Sequence, residues 1–240
     1  VKWAILALLA LLLPGLALAQ EAPAMAALTD QVANGVGRHA ITIVAVMTAL
    51  SLAPGIAIMV TCFPFIVTVL SILRQSIGLQ QSPPNMLIVS LAMFLTWFVM
   101  NPVLTEAWQT AGAPLRDGSI TVEVALERGM IPFRGFMETR TDPEMIATLA
   151  EISADRQAPA DRLSVLIPAF MLSEIQRAFE IGFLVSLPFL IIDLVVSAVL
   201  MSMGMMMVPP AVVALPFKLA FFVVVDGWGL IAAALVRSYH

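Results

Sequence analysis

Few side chains in this 240-residue chain are of a type that does chemistry. Glu174, Arg177 and Glu180 are spaced by three. A helix would place them on one face, where they can pair as ions. Pairing is preferred here to a specific site. Asp193 is central in the apolar run 181–203, and Lys218 and Asp226 are the charges of 211–236. An ionisable group inside a lipid-length segment is costly and defaults to function or assembly. Lys218 lies two residues after Pro216, so a helix-end explanation competes there. Cys62 has no partner for an internal disulfide and reads as a small buried side chain. His39 and His240 are far apart and make no metal cluster. No phosphate loop, HExxH, CxxC or paired-carboxylate set occurs, and the serine of Ser82-Pro83-Pro84-Asn85 has no histidine partner. The chain does not read as an enzyme, and no cofactor is implied.

The least ordinary stretch is MSMGMMMVPP, 201–210, with methionine at five of its first seven positions. Methionine is unbranched and polarizable and repacks against changing surfaces. Two readings follow: a flexible apolar turn in a bundle core, or a soft gasket around a pore. The gasket needs several copies around an axis.

These residues sit in an apolar framework. Apolar residues make up 60% of the chain and charged residues 12%, against about 45–50% and 25% in soluble domains. A water-soluble enzyme domain is excluded, and the chain belongs in or against a membrane. Residues 106–177 carry 11 acids and 7 bases, which accounts for the whole net charge of -4. No part is basic enough for nucleic acid.

Residues 1–19 form a leucine-alanine core behind Lys2, with Ala17 and Ala19 before Gln20. That pattern predicts a secretory signal peptide; the alternative is a retained first membrane helix. A mature N-terminal segment, 20–40, follows. Residues 39–73 lack any Lys, Arg, Asp or Glu and would run roughly 52 Å as one helix. Pro54-Gly55 and Pro64 predict two pieces, 41–53 and 55–73. A second apolar run covers 86–105, and its Asn101-Pro102 is read as a helix end at the membrane interface, with Trp97 and Trp108 as girdle residues. Pro114, Gly118, Gly129, Pro132, Pro143 and Pro159 mark turns, and helices are expected at 120–128, at 142–155 behind Asp142-Pro143, and at 168–179. The predicted class is all-α and membrane-associated: four apolar helical segments, within 41–105 and 181–240, around a polar, periplasmic helical region, 106–180.

The blocks FIVTVLSILRQSIGLQQSPPNMLIVSLAMFLTWFVMNPV, 65–103, and LIPAFMLSEIQRAFEIGFLVSLPFLIIDLVVSAVLMSMGMMMVPPAVVALPFKLAFFVVVDGWGLIAAALVRS, 166–238, resemble the flagellar biosynthetic FliP family, which has relatives in type III secretion injectisomes. The likeness covers about residues 41–240. Phe65 stands where the family usually has arginine, and Leu79 where threonine is usual. The leader favours the flagellar branch. The resemblance implies an export-gate subunit of the bacterial inner membrane and flagellar basal body. It implies five copies joined to FliQ, FliR and other export-apparatus and basal-body proteins, with unfolded flagellar subunits passing through the centre. It implies that the apolar segments form bent hairpins, 41–105 and 181–240, and that Met205, Met206 and Met207 form the constriction. Glu174, Arg177, Asp193 and Lys218 are assigned to contacts between helices or subunits. Gln80, Gln81, Pro83 and Pro84 are assigned to a cytoplasm-facing turn at the entrance. The alternatives are an injectisome gate subunit, a scaffold without a lumen, or a channel or secondary transporter, which would need internal repeats or a midplane site.

Overall fold

The computed structural model describes residues 43–44, 47–48, 51–52, 54–79, 83–153, 162–205 and 207–239. The leader at 1–19, the segment 20–40, Gln80, Gln81 and Met206 lie outside the described residues. The chain divides into Val1–Pro54 and Gly55–His240. Within the first unit the described residues 43–44, 47–48 and 51–52 are helical.

The second unit is helical in all its described regular structure. α1 is Phe63–Ile77 and α2 is Asn85–Ala107, which passes through a π-turn, Trp108–Gly112, into the short α3, Ala113–Arg116. α4 is Val122–Arg140, α5 is Pro143–Ile152 and α6 is Leu163–Ser202. α7, Pro210–Val224, and α8, Gly227–Arg237, complete the order.

Local chemistry explains most ends. Pro64 sits in the first turn of α1, where its missing N–H costs nothing. A turn at 60–62 precedes α1, so 55–59 and α1 are separate helical stretches rather than the single piece expected over 55–73. α1 stops at Gly78, whose φ of 91° is open to glycine. Gly78 N–H then donates to Gln75 C=O and Leu79 N–H to Arg74 C=O. Asp142 caps α5 by accepting from Glu144 N–H at 2.9 Å, with Pro143 behind it, as the sequence predicts.

Three proline-based boundaries do not hold. α2 continues through Asn101-Pro102, which is no helix end; both residues are exposed, so neither the amide nor the ring has to be accommodated in the core. α4 continues through Pro132 to Arg140. α6 spans 40 residues through Pro168 and Pro188, so the helix expected at 168–179 and the apolar run 181–203 are one rod of about 60 Å. Packing on one side overrides the local penalty of proline.

That packing centres on α1. Phe65, Ile66, Val69 and Leu70 are buried with Ile88, Ala92 and Met100 of α2, Ala178 of α6 and Leu235 of α8. The buried face of α6 includes small residues at Ala178, Gly182 and Ser186, four apart and hence stacked on one side. A Cβ on Gly182 would overlap Ile72, so α1 and α6 meet through this glycine.

Two continuous helices, Asn85–Arg116 and Leu163–Ser202, are long and apolar enough to cross a membrane. The pair α7 and α8, bent by 61°, makes a third if counted as one span. α1, at about 22 Å, is short of a hydrocarbon core of about 30 Å. Among the described residues there are thus two or three membrane-length elements.

Candidate functional site

The methionine turn joins α6 to α7. Met203 N–H donates to Val199 C=O at 3.1 Å and Met205 N–H to Leu200 C=O at 3.0 Å. Gly204, at φ 72°, makes the left-handed step that ends α6. The turn is exposed: Met205 is 42% exposed and Met207 is 97% exposed. Met201 and Met203 are exposed too. A bundle-core turn is therefore excluded within this chain. Behind it, α6 and α7 leave an apolar groove of about 530 Å³, lined by Val195, Val199, Met203, Met205, Val213 and Phe217 among others.

Next in the chain to the groove-lining Ile192 and Phe217 stands an ion pair. Lys218 of α7 is 5% exposed. Its Nζ donates to Asp193 Oδ2 of α6 at 2.6 Å and to Ser76 C=O of α1 at 3.0 Å. Ser76 is in the last turn of α1, where carbonyls lack helical partners and cations are favoured. Asp193 Oδ1 is buried without a hydrogen-bond partner.

A second network lies further along α6. Glu174 is fully buried. It accepts from Arg177 Nη1 at 2.9 Å, from Arg140 Nε at 3.2 Å, and from the Tyr239 hydroxyl. Arg177 also donates to Arg140 C=O at 3.3 Å, and Arg140 to Ser238 C=O at 2.9 Å. The Arg140 guanidinium lies 4.1 Å from the centre of the Tyr239 ring, a cation–π contact. Glu180 accepts instead from Gln176, at 3.3 Å. Burial, and after it the Glu174 charge, holds the Tyr239 phenol far above its usual range, so it stays a donor.

Phe65 is buried edge-on to Tyr239, with ring centres 5.5 Å apart. This position is therefore aromatic rather than ionic. Arg140 and Tyr239 were not singled out in the sequence. They lie 34 and 65 residues from Glu174, and no local spacing connects them. The available signal was compositional, because Tyr239 is the chain's one tyrosine.

At the assigned entrance turn, Pro83 and Pro84 lead into α2. Arg74 Nη1 donates to Pro83 C=O at 3.2 Å and to Asn85 Oδ1. Cys62 is buried, and burial pushes its thiol up to about 12. Among the described residues no cluster of three or more His, Cys, Asp or Glu could hold a metal.

Residues 46–235 match the FliP family model. The chain is 46% identical over 235 residues to the flagellar biosynthetic protein FliP of Agrobacterium fabrum, covering 96% of both proteins. It is 50% identical over 209 residues to that of Caulobacter vibrioides, covering 86% of this chain and 79% of that protein. It is 44% identical over 196 residues to that of Bacillus subtilis, covering 80% and 89%.

Proposed function

The chain belongs to the FliP family, and we infer its working part from that membership. It is a core pore-forming subunit of the flagellar protein export gate, and its role is not catalytic. Association with other export-apparatus components follows from the family, and the membrane-length helices fit an inner-membrane location.

The finer reading has five copies assembling with FliQ and FliR, and unfolded flagellar subunits passing through the centre. The helices then form bent hairpins, with much of the region 106–180 on the periplasmic side. Met205, Met206 and Met207 close the lumen against ions. Gln80, Gln81, Pro83 and Pro84 face the cytoplasm at the entrance. The observation that carries the gate assignment is the outward-facing methionine turn between two apolar helices. Each atom contact between such side chains contributes only about 0.1–0.2 kcal/mol. A ring of them excludes water collectively and yields to a passing chain one contact at a time. Nothing in this step consumes a cofactor, so the driving force comes from elsewhere in the machine.

Replacing Met205, Met206 and Met207 together by alanine tests this. Cells should leak ions while the complex still assembles. Unchanged ion permeability with normal assembly would sink the seal.

A further inference from the structure

The α6–α7 arm changes character at the Asp193–Lys218 pair. On the inner side, Phe189 of α6 and Phe222 of α7 are buried with Leu73 and Ile77 of α1. On the outer side, across 194–217, only Leu200 and Ala214 are buried among the described residues. The groove of about 530 Å³ occupies this outer stretch, from Ile191 and Phe217 beside the pair to Met203 and Met205 at the turn. Between packed core and loose arm stands one polar contact joining three helices: Lys218 Nζ to Asp193 Oδ2 and to Ser76 C=O.

We propose that this contact is the fulcrum of the methionine turn: Asp193, Lys218 and the Ser76 carbonyl fix the arm's closed position, and 194–217 swings outward from them. The proposal rests on the gate reading above. A segment with few buried contacts opens at low free energy, whereas a cooperative packed unit does not. The charged contact locates the boundary, because losing Asp193 leaves the Lys218 ammonium, its side chain 7% exposed, buried without its anion. The third member makes the site more than a pair. Lys218 ties the arm to the end of α1, so the arm's angle is set against the most buried helix. Asp193 and Lys218 are thus positioning residues for the gate; neither touches the passing chain.

The test uses the full chain in the complete export complex. Asp193→Asn and Lys218→Met are made singly and together, and proton entry after an acid pulse is measured in cells not secreting. Each single variant should leak about ten-fold above wild type, and the double variant no more than the worse single, because the two act as a unit. Lys218→Arg keeps a cation with donors for both oxygens and should leak less than Lys218→Met. Assembled single variants that seal like wild type overturn the fulcrum. If Met205→Ala and Met207→Ala leak in the same cells, the fulcrum alone has failed; if they too stay sealed, the gate reading has failed. Should the single variants not assemble, hydrogen exchange of the wild-type complex decides. Amides at 194–202 should exchange at least about ten-fold faster than those at 183–192, with the step at Asp193. Even protection across the pair overturns the proposal.

Discussion

Replacing Glu174 by glutamine removes one charge and almost no volume. The carboxylate accepts three hydrogen bonds and, among the described residues, is the one anion paired with both Arg140 and Arg177. Arg140 Nη2 is already buried without a partner, so nothing in the cluster can absorb the loss. Breaking a buried pair by removing one member costs about 3–5 kcal/mol. The lower end applies, since the Arg140 and Arg177 side chains are 17% and 34% exposed and keep some water. At about 2–4 °C per kcal/mol for a chain of this size, Glu174→Gln should lower Tm by roughly 6–12 °C. Tyr239→Phe loses one bond to a charged group, about 1.5–3 kcal/mol, and should lower Tm by less. The assay is thermal unfolding of the detergent-solubilised protein, followed by circular dichroism. A double-mutant cycle with Arg140→Gln should be non-additive by about 1 kcal/mol or more, because the two side chains share a bond. A Glu174→Gln protein that melts within about 1 °C of wild type would show that the buried carboxylate does not hold the two arginines, as would strict additivity with Arg140→Gln.

Gly182→Leu should separate α1 from α6, because even a Cβ there overlaps Ile72; overpacking costs about 1–3 kcal/mol or more, visible as a lower Tm and less assembled complex. Native Cys62 should resist maleimide at pH 8, since a thiol at about 12 is almost wholly protonated; it should react fully after denaturation, and rapid native labelling would contradict its burial. Gly204→Ala should weaken the turn by about 1–2 kcal/mol, through its φ of 72° alone, since open space surrounds it, read as a lower Tm.

The helical class and the α5 cap were legible in local residue patterns, whereas for the methionine turn the residues left a core turn and a gasket both open. What local patterns could not weigh was packing on a helix's far side. Pro102, Pro132 and Pro168 read as punctuation, yet each lies inside a helix held by tertiary contacts. The polar region 106–180 begins and ends inside continuous helices for the same reason. In α6, Ala178, Gly182 and Ser186 carried a readable sign of close packing, masked by the apolar residues between them. Glu174 and Arg177 were marked by their spacing of three. Their partners Arg140 and Tyr239 come from α4 and from beyond α8, joined only by the tertiary fold. Asp193 and Lys218 were each conspicuous as a charge in an apolar run, but their meeting over Ser76 C=O needs three helices at once.

The central claim is that exported chains pass against the methionine turn. A photo-crosslinking residue at position 207 or 205, with an export substrate stalled by a folded fusion, tests it directly. Position 97, whose Trp97 is also well exposed, serves as the control. Crosslinks to the stalled substrate are expected from 205 and 207 and none from 97. Equal crosslinking at 97, or none from the turn while the substrate is demonstrably stalled, would contradict it.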